Sequence, residues 1–257
     1  MCSSICGSCE AGSVQRTIKH VAGDPSDAMP LNYTTSLGPL DRVKNELALR
    51  VRRRIFDLFI RQCQPGPHDR VADFGATGHE DHPAHVFFET MYPYPMNLTV
   101  IARETEGAQW FPERFPGVSF LEADLRSIPL PDGYFHAGLC NAVIEHAGTR
   151  EQQAALVREV CRVCRRVMFT TPNRWFPLEV HTFIPLLHWL PDRGYRAALR
   201  AIGQSYFASV ENLNLLDAAS FLALFPRDRH SRVFGTGLPL LPSNLVCVSV
   251  DPRGPSH

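Results

Sequence analysis

The segment Arg-Val-Ala-Asp-Phe-Gly-Ala-Thr-Gly-His-Glu at 70–80 constrains the fold more than any other. A short apolar run, Val71 to Phe74, carries an acid at Asp73 and breaks at once into a turn containing Gly75 and Gly78. A buried parallel strand running into a ligand-cradling turn has this form. Glycine lets the backbone approach a ligand where a Cβ would collide, and a following helix start can present its N–H groups. From there the chain alternates. Apolar runs predict strands near 70–74, 97–102, 118–121, 135–140 and 166–171, with helices near 83–91, 106–114 and 149–164. Thr149 followed by Gln152 is the capping-box pattern for the last of these helices. Such alternation predicts an α/β, doubly wound, mainly parallel sheet, with ligands bound at the carboxyl ends of its strands.

With 257 residues, 44% of them hydrophobic, the chain can bury one full core, so one α/β domain with appendages is expected. Its 26 basic and 26 acidic residues cancel, which argues against nucleic acid or anionic lipid as a partner. No apolar run approaches the roughly 20 residues that cross a bilayer. The N-terminus lacks the basic and apolar regions of a signal peptide, and the expected location is cytoplasmic. Of the eight cysteines, Cys140, Cys161, Cys164 and Cys247 fall in predicted core elements and read as small apolar residues. Cys2, Cys6 and Cys9 share a spacing with radical iron–sulfur enzymes, but nothing after them resembles the repeated βα barrel those enzymes need.

Residues 1–40, rich in Ser, Gly and Pro, predict a flexible tail, with a lid segment near Leu31–Leu40. A helix follows with Leu47, Val51, Ile55, Leu58 and Phe59 on one face. Arg50, Arg52, Arg53 and Arg54 are assigned to its solvated faces, and Pro65 and Pro67 end it. The main domain is expected over 41–250, with 251–257 as a tail. An insertion at 174–225, carrying apolar helical stretches near 182–190 and 195–202, is expected to lie over the site as a lid.

Four segments in order resemble the class I S-adenosylmethionine (SAM)-dependent methyltransferases: Val-Ala-Asp-Phe-Gly-Ala-Thr-Gly at 71–78, Phe-Leu-Glu-Ala-Asp-Leu-Arg-Ser-Ile-Pro-Leu-Pro-Asp-Gly-Tyr-Phe at 120–135, Ala-Val-Ile-Glu-His at 142–146 and Phe-Thr-Thr-Pro-Asn-Arg at 169–174. The resemblance spans about 68–175. It implies a seven-stranded Rossmann-like sheet closed by an antiparallel pair at 233–234 and 244–250. It also implies SAM as cofactor and a small-molecule methyl acceptor. The glycine loop departs from the family's pattern, with Thr77 at the central glycine position and His79 at the last.

On that resemblance, Gly75, Ala76 and Gly78 make room for the amino-acid tail of SAM, and Asp73 orders the loop or reaches the ammonium. Glu104 is the ribose acid, displaced from the family's position at Ala102, with Glu106 as its alternative. Asp124 and the Leu125 N–H take the adenine edge, and Asn141 and Ala142 line the opposite wall. Methyl transfer needs alignment and, for a hydroxyl acceptor, removal of a proton. His146 and His181 are the candidate catalytic residues, ahead of Glu145. Asn173, Arg174 and Trp175 are expected at the acceptor. His79, Glu80, Asp81, His82 and His85 are the richest ligand cluster in the sequence, yet a helix opening at Pro83 would splay them, and no metal is expected. A homodimer is compatible with such a chain. The competing reading is a methyltransferase fold without methyl transfer, serving as a partner or repurposed catalyst, for which Thr77 and His79 speak. A nicotinamide oxidoreductase fits poorly, since the loop is not Gly-x-Gly-x-x-Gly.

Overall fold

The computed structural model describes residues 39–76, 86–103, 111–238 and 240–253. Residues 1–38 of the expected tail and lid segment (1–40), with their cysteines, and the His79–His85 cluster lie outside the described residues, while Pro39 and Leu40 begin a helix rather than a tail. So do Gly78, Glu104 and Glu106.

Seven strands form one sheet in the order β3-β2-β1-β4-β5-β7-β6. They are β1 (Val71–Phe74), β2 (Leu98–Ala102), β3 (Ser119–Glu122), β4 (Phe135–Asn141), β5 (Cys164–Pro172), β6 (His230–Leu238) and β7 (Leu241–Val250). The first five pair in parallel, while β7 runs antiparallel to both β5 and β6. The strand order reverses between β1 and β4, which opens a crevice at their carboxyl ends.

Period-2 alternation sends each strand's side chains to two cores. Val71, Leu98, Val100, Ala137, Leu139 and Met168 pack against helix α1 (Pro39–Cys63) through Ile55, Phe56 and Phe59, and against Phe87 and Phe88 of α2 (Phe87–Met91). Ala72, Phe74, Ile101, Cys140, Val167 and Phe169 pack on the other face against Leu156, Val157 and Val160 of α4 (Arg150–Val163). A short α3 (Phe111–Arg114) precedes β3. The capping box of α4 is formed as its sequence predicts, with Thr149 and Gln152 exchanging both hydrogen bonds. Cys140, Cys161, Cys164 and Cys247 are buried free thiols.

Between β5 and β6 the chain leaves the sheet. The helix expected near 182–190 is reduced to one 3₁₀ turn at Leu187–Trp189; Phe183 and Leu186 sit at positive φ, which breaks a continuous helix. The second stretch forms α5 (Asp192–Ala201), and α6 (Ala218–Leu222) follows. Tyr195, Leu199, Phe207, Leu213 and Leu215 make a small core of their own. Arg196 is buried within it and donates to the carbonyls of Ala208 and Leu213.

Candidate active site

A cavity of about 480 Å³ opens at the carboxyl ends of the central strands. Gly75 and Ala76 line it after β1, Ala102 and Arg103 after β2, and Asp124, Leu125 and Arg126 after β3. Val143, His146, Ala147 and Gly148, after β4, form the opposite wall with Gln152 and Leu156 of α4, and Glu211 reaches it from the insertion. Its volume is that of a small-molecule or cofactor site.

Gly75 has φ +82°, and a Cβ there would come within 2.5 Å of the Val143 side chain. The glycine is therefore what allows the β1 and β4 loops to close on each other. Asp124 accepts from Arg103 at 2.6 Å and from Arg126 at 2.7 Å. Its carboxyl is held well below the usual range, chiefly by the Arg126 hydrogen bond, with Arg103 adding to it against a smaller opposing effect of burial. Adenine would have to displace or share these guanidinium donors. Ala102 is buried at the end of β2, so the side chain there offers the ribose no acceptor.

Alternation decides where Asp73 and Asn141 go. Asp73 stands two residues after Val71, and Asn141 two after Leu139, so both face α1 and α2, and neither lines the cavity. Asn141 Oδ1 accepts from Arg52 at 2.9 Å and from the Thr170 hydroxyl at 2.8 Å. Asp73 meets Glu89. Burial raises the pKa of both, and the neighbouring Glu89 carboxylate raises that of Asp73 further. The assignment of Arg52 to a solvated face is corrected here. Arg52 lies on the buried stripe with Ile55, Phe56 and Phe59, its guanidinium 5.6 Å from the Phe87 ring centroid. Burial lowers its pKa, while Glu145 and Asp73 favour its charge. Ala142 turns the chain after β4 at φ +54° and is absent from the cavity wall.

That turn continues into a 3₁₀ helix, Ile144–His146. Glu145 is fully buried; its Oε2 accepts from the Thr171 hydroxyl at 3.0 Å, while Oε1 has no hydrogen-bond partner among the described residues. His146 Nδ1 lies 2.7 Å from the carbonyl of Asn212, an acceptor only, so Nδ1 carries the proton. The His146 and His181 rings stand edge to face, 4.8 Å apart. His181 Nδ1 is 2.6 Å from Glu179 Oε1. Burial pushes the Glu179 carboxyl up, but hydrogen bonds and charge from His181, together with Thr182, outweigh it and hold the pKa at about 2. Burial opposes the charge of His181, yet Glu179 raises its pKa.

Segment 212–216, on the return from the insertion, straps this turn in place. The Asn214 N–H donates to the Glu145 carbonyl, Asn214 Nδ2 to the Gly148 carbonyl, and Arg150 to the Leu215 carbonyl. Asn173, Arg174 and Trp175 are not brought to the cavity wall. Asn173 donates to the Pro242 carbonyl and caps the Trp175 N–H, Arg174 reaches the Leu190 carbonyl, and Trp175 packs edge to face on Trp189. Sequence reasoning missed Glu179 and the strap. The only signal for Glu179 is an acid two residues before a histidine in an aperiodic segment.

Residues 89–167 match the family described as a methyltransferase domain. No curated protein matches the chain. Among solved structures, YcgJ of Bacillus subtilis is similar at 14% identity and a TM-score of 0.50, over 77% of this chain and 98% of that one. PH0226 of Pyrococcus horikoshii is similar at 12% identity and a TM-score of 0.52, over 84% and 92%. Those two likenesses bear on the fold, and the domain match runs from within α2 into β5, across β2, β3 and β4, whose ends make part of the cavity. Over residues 89–167 the chain is thus similar to the methyltransferase-domain family, and its fold is that of the two solved structures.

Proposed function

We infer that the protein transfers the methyl group of SAM to a small-molecule acceptor seated between the cofactor cavity and the insertion. The observation that carries this reading is the meeting of His146, on the cavity wall, with His181, from the insertion, at a ring separation of 4.8 Å. In this reading SAM lies across Gly75, Ala76, Asp124 and Leu125. Gly78 and Glu104 would add the tail and ribose contacts. Asp73, Asn141 and Ala142 shape the cleft from behind, holding the β1 and β4 loops rather than touching the ligand.

The sulfonium is already an activated leaving group. The acceptor's lone pair forms the new bond to the methyl carbon while the S–CH₃ electron pair returns to sulfur, giving S-adenosylhomocysteine. A hydroxyl acceptor must also lose its proton, and His146 and His181 are the side chains placed to assist that loss. Asn173, Arg174 and Trp175 would touch the far end of an acceptor larger than the cavity mouth. Formal neutrality of the chain favours a small molecule over a nucleic acid.

The test is calorimetric binding of S-adenosylhomocysteine, followed by methyl transfer from labelled SAM across a small-molecule library. Binding, together with turnover that falls about 10²–10⁴-fold in His146→Ala, supports the reading. No binding at millimolar ligand would sink it and favour a fold kept without methyl transfer.

A further inference from the structure

Glu145, His146 and His181 each offer a ligand atom, and these atoms lie within 4.8 Å of one another. We propose that the three side chains bind one divalent first-row transition cation of the zinc class, with an open coordination position facing the SAM cavity. The sequence predicts no metal, because Glu145 and His181 stand 36 positions apart and join only through the fold.

Four observations support the site. Glu145 is 0% exposed and, among the described residues, its buried Oε1 has no hydrogen-bond partner, a need that a cation would satisfy. Each imidazole is gripped from behind at Nδ1, His146 by the Asn212 carbonyl at 2.7 Å and His181 by Glu179 at 2.6 Å. Histidines that bind metals through Nε2 are held in this way by a carbonyl or a carboxylate. Two imidazoles and one carboxylate suit zinc or cobalt better than magnesium or calcium. The charge balance also fits: Glu145 and Glu179 bring two carboxylates, while Arg52, whose charge Glu145 favours, is shared with Asp73. Zinc-bound nitrogen and oxygen atoms at about 2.0–2.1 Å stand roughly 3.4 Å apart, so binding would draw the three groups together by up to about 1.4 Å.

The inference rests on the methyl-transfer reading for its purpose, since a cation here would lower the pKa of an acceptor hydroxyl, whose proton then leaves to solvent. Its test is independent of turnover. Full-length protein stripped with a chelator is titrated with Co²⁺ by visible absorption and with Zn²⁺ by calorimetry, and S-adenosylhomocysteine affinity is measured on the same samples. One equivalent should bind with a d–d spectrum of low coordination number. His181→Ala and Glu145→Gln should abolish that spectrum, and Glu179→Gln should weaken binding about 10–100-fold. A variant with Cys2, Cys6 and Cys9 all changed to Ser should bind as the parent does. Absence of stoichiometric binding overturns the proposal. So does binding that survives His181→Ala but disappears with the three cysteines. His181 lies on the insertion, outside the sheet core, so that variant stays informative if Glu145→Gln fails to fold. Loss of S-adenosylhomocysteine binding with intact metal binding would count against the methyl-transfer reading alone.

Discussion

Gly75 shows how one residue can serve two purposes that a mutation would confuse. A valine there would have to adopt φ +82° and drive its Cβ into Val143. Gly75→Val should therefore lose about 1–3 kcal/mol of stability as well as cofactor binding, read by denaturant unfolding beside calorimetry. Asp124 gives a cleaner probe, because its side chain is partly exposed and engaged only by two arginines. If it receives the adenine amine, Asp124→Ala should weaken S-adenosylhomocysteine binding by about 1–3 kcal/mol. Arg103→Ala, which frees the carboxylate of a competitor, should strengthen binding or leave it unchanged. A loss of affinity in Arg103→Ala equal to that in Asp124→Ala would show instead that the ion pair itself builds the wall.

At the scale of elements, the core strands were legible because burial on both faces writes continuous apolar runs. β1, β2 and β4 begin and end within a residue or two of their predicted limits. The cap of α4 was legible because a Thr–Gln exchange is local. Arg52 was misread because an arginine run resembles a solvated face, although its steps of three, four and seven to Ile55, Phe56 and Phe59 place it on the buried stripe. The strap at 212–216 has no periodicity to reveal it; its hydrogen bonds join residues more than 60 positions apart. Asn214→Ala removes one of them and should cost about 1 kcal/mol in stability. It should also lower turnover more than cofactor affinity, since it loosens the turn that carries His146. Equal effects on both would mean that the strap supports the whole cavity.

For the molecule as a whole, the buried Asp73–Glu89 pair sets a pH dependence. Burial raises the pKa of both carboxyls in the folded state. From about pH 4 upward the unfolded chain releases these protons while the folded protein keeps them, so this contribution to stability falls as pH rises through that window. Below it, both states are protonated and the contribution is flat. Glu89→Gln removes one carboxyl and leaves Asp73 to pair with Arg52. Its stability relative to the parent should therefore rise between about pH 5 and about pH 8, by roughly 1.4 kcal/mol per unit of pKa shift relieved. A difference that does not vary with pH would overturn this origin of the pH dependence.

The strap also bears on how such a protein could change its substrate. Because 212–216 clasps the turn bearing Glu145 and His146, a graft of the insertion cut at 174 and 211 would leave the recipient's own clasp in place, fitted to a different insertion. A graft extended to 216 would carry insertion and clasp together, along with His181 and its Glu179 support. The natural unit of exchange is thus longer than the loop that an alignment would mark as variable. Divergence of acceptor preference in this fold should proceed by replacement of that whole unit, with the cofactor half left untouched.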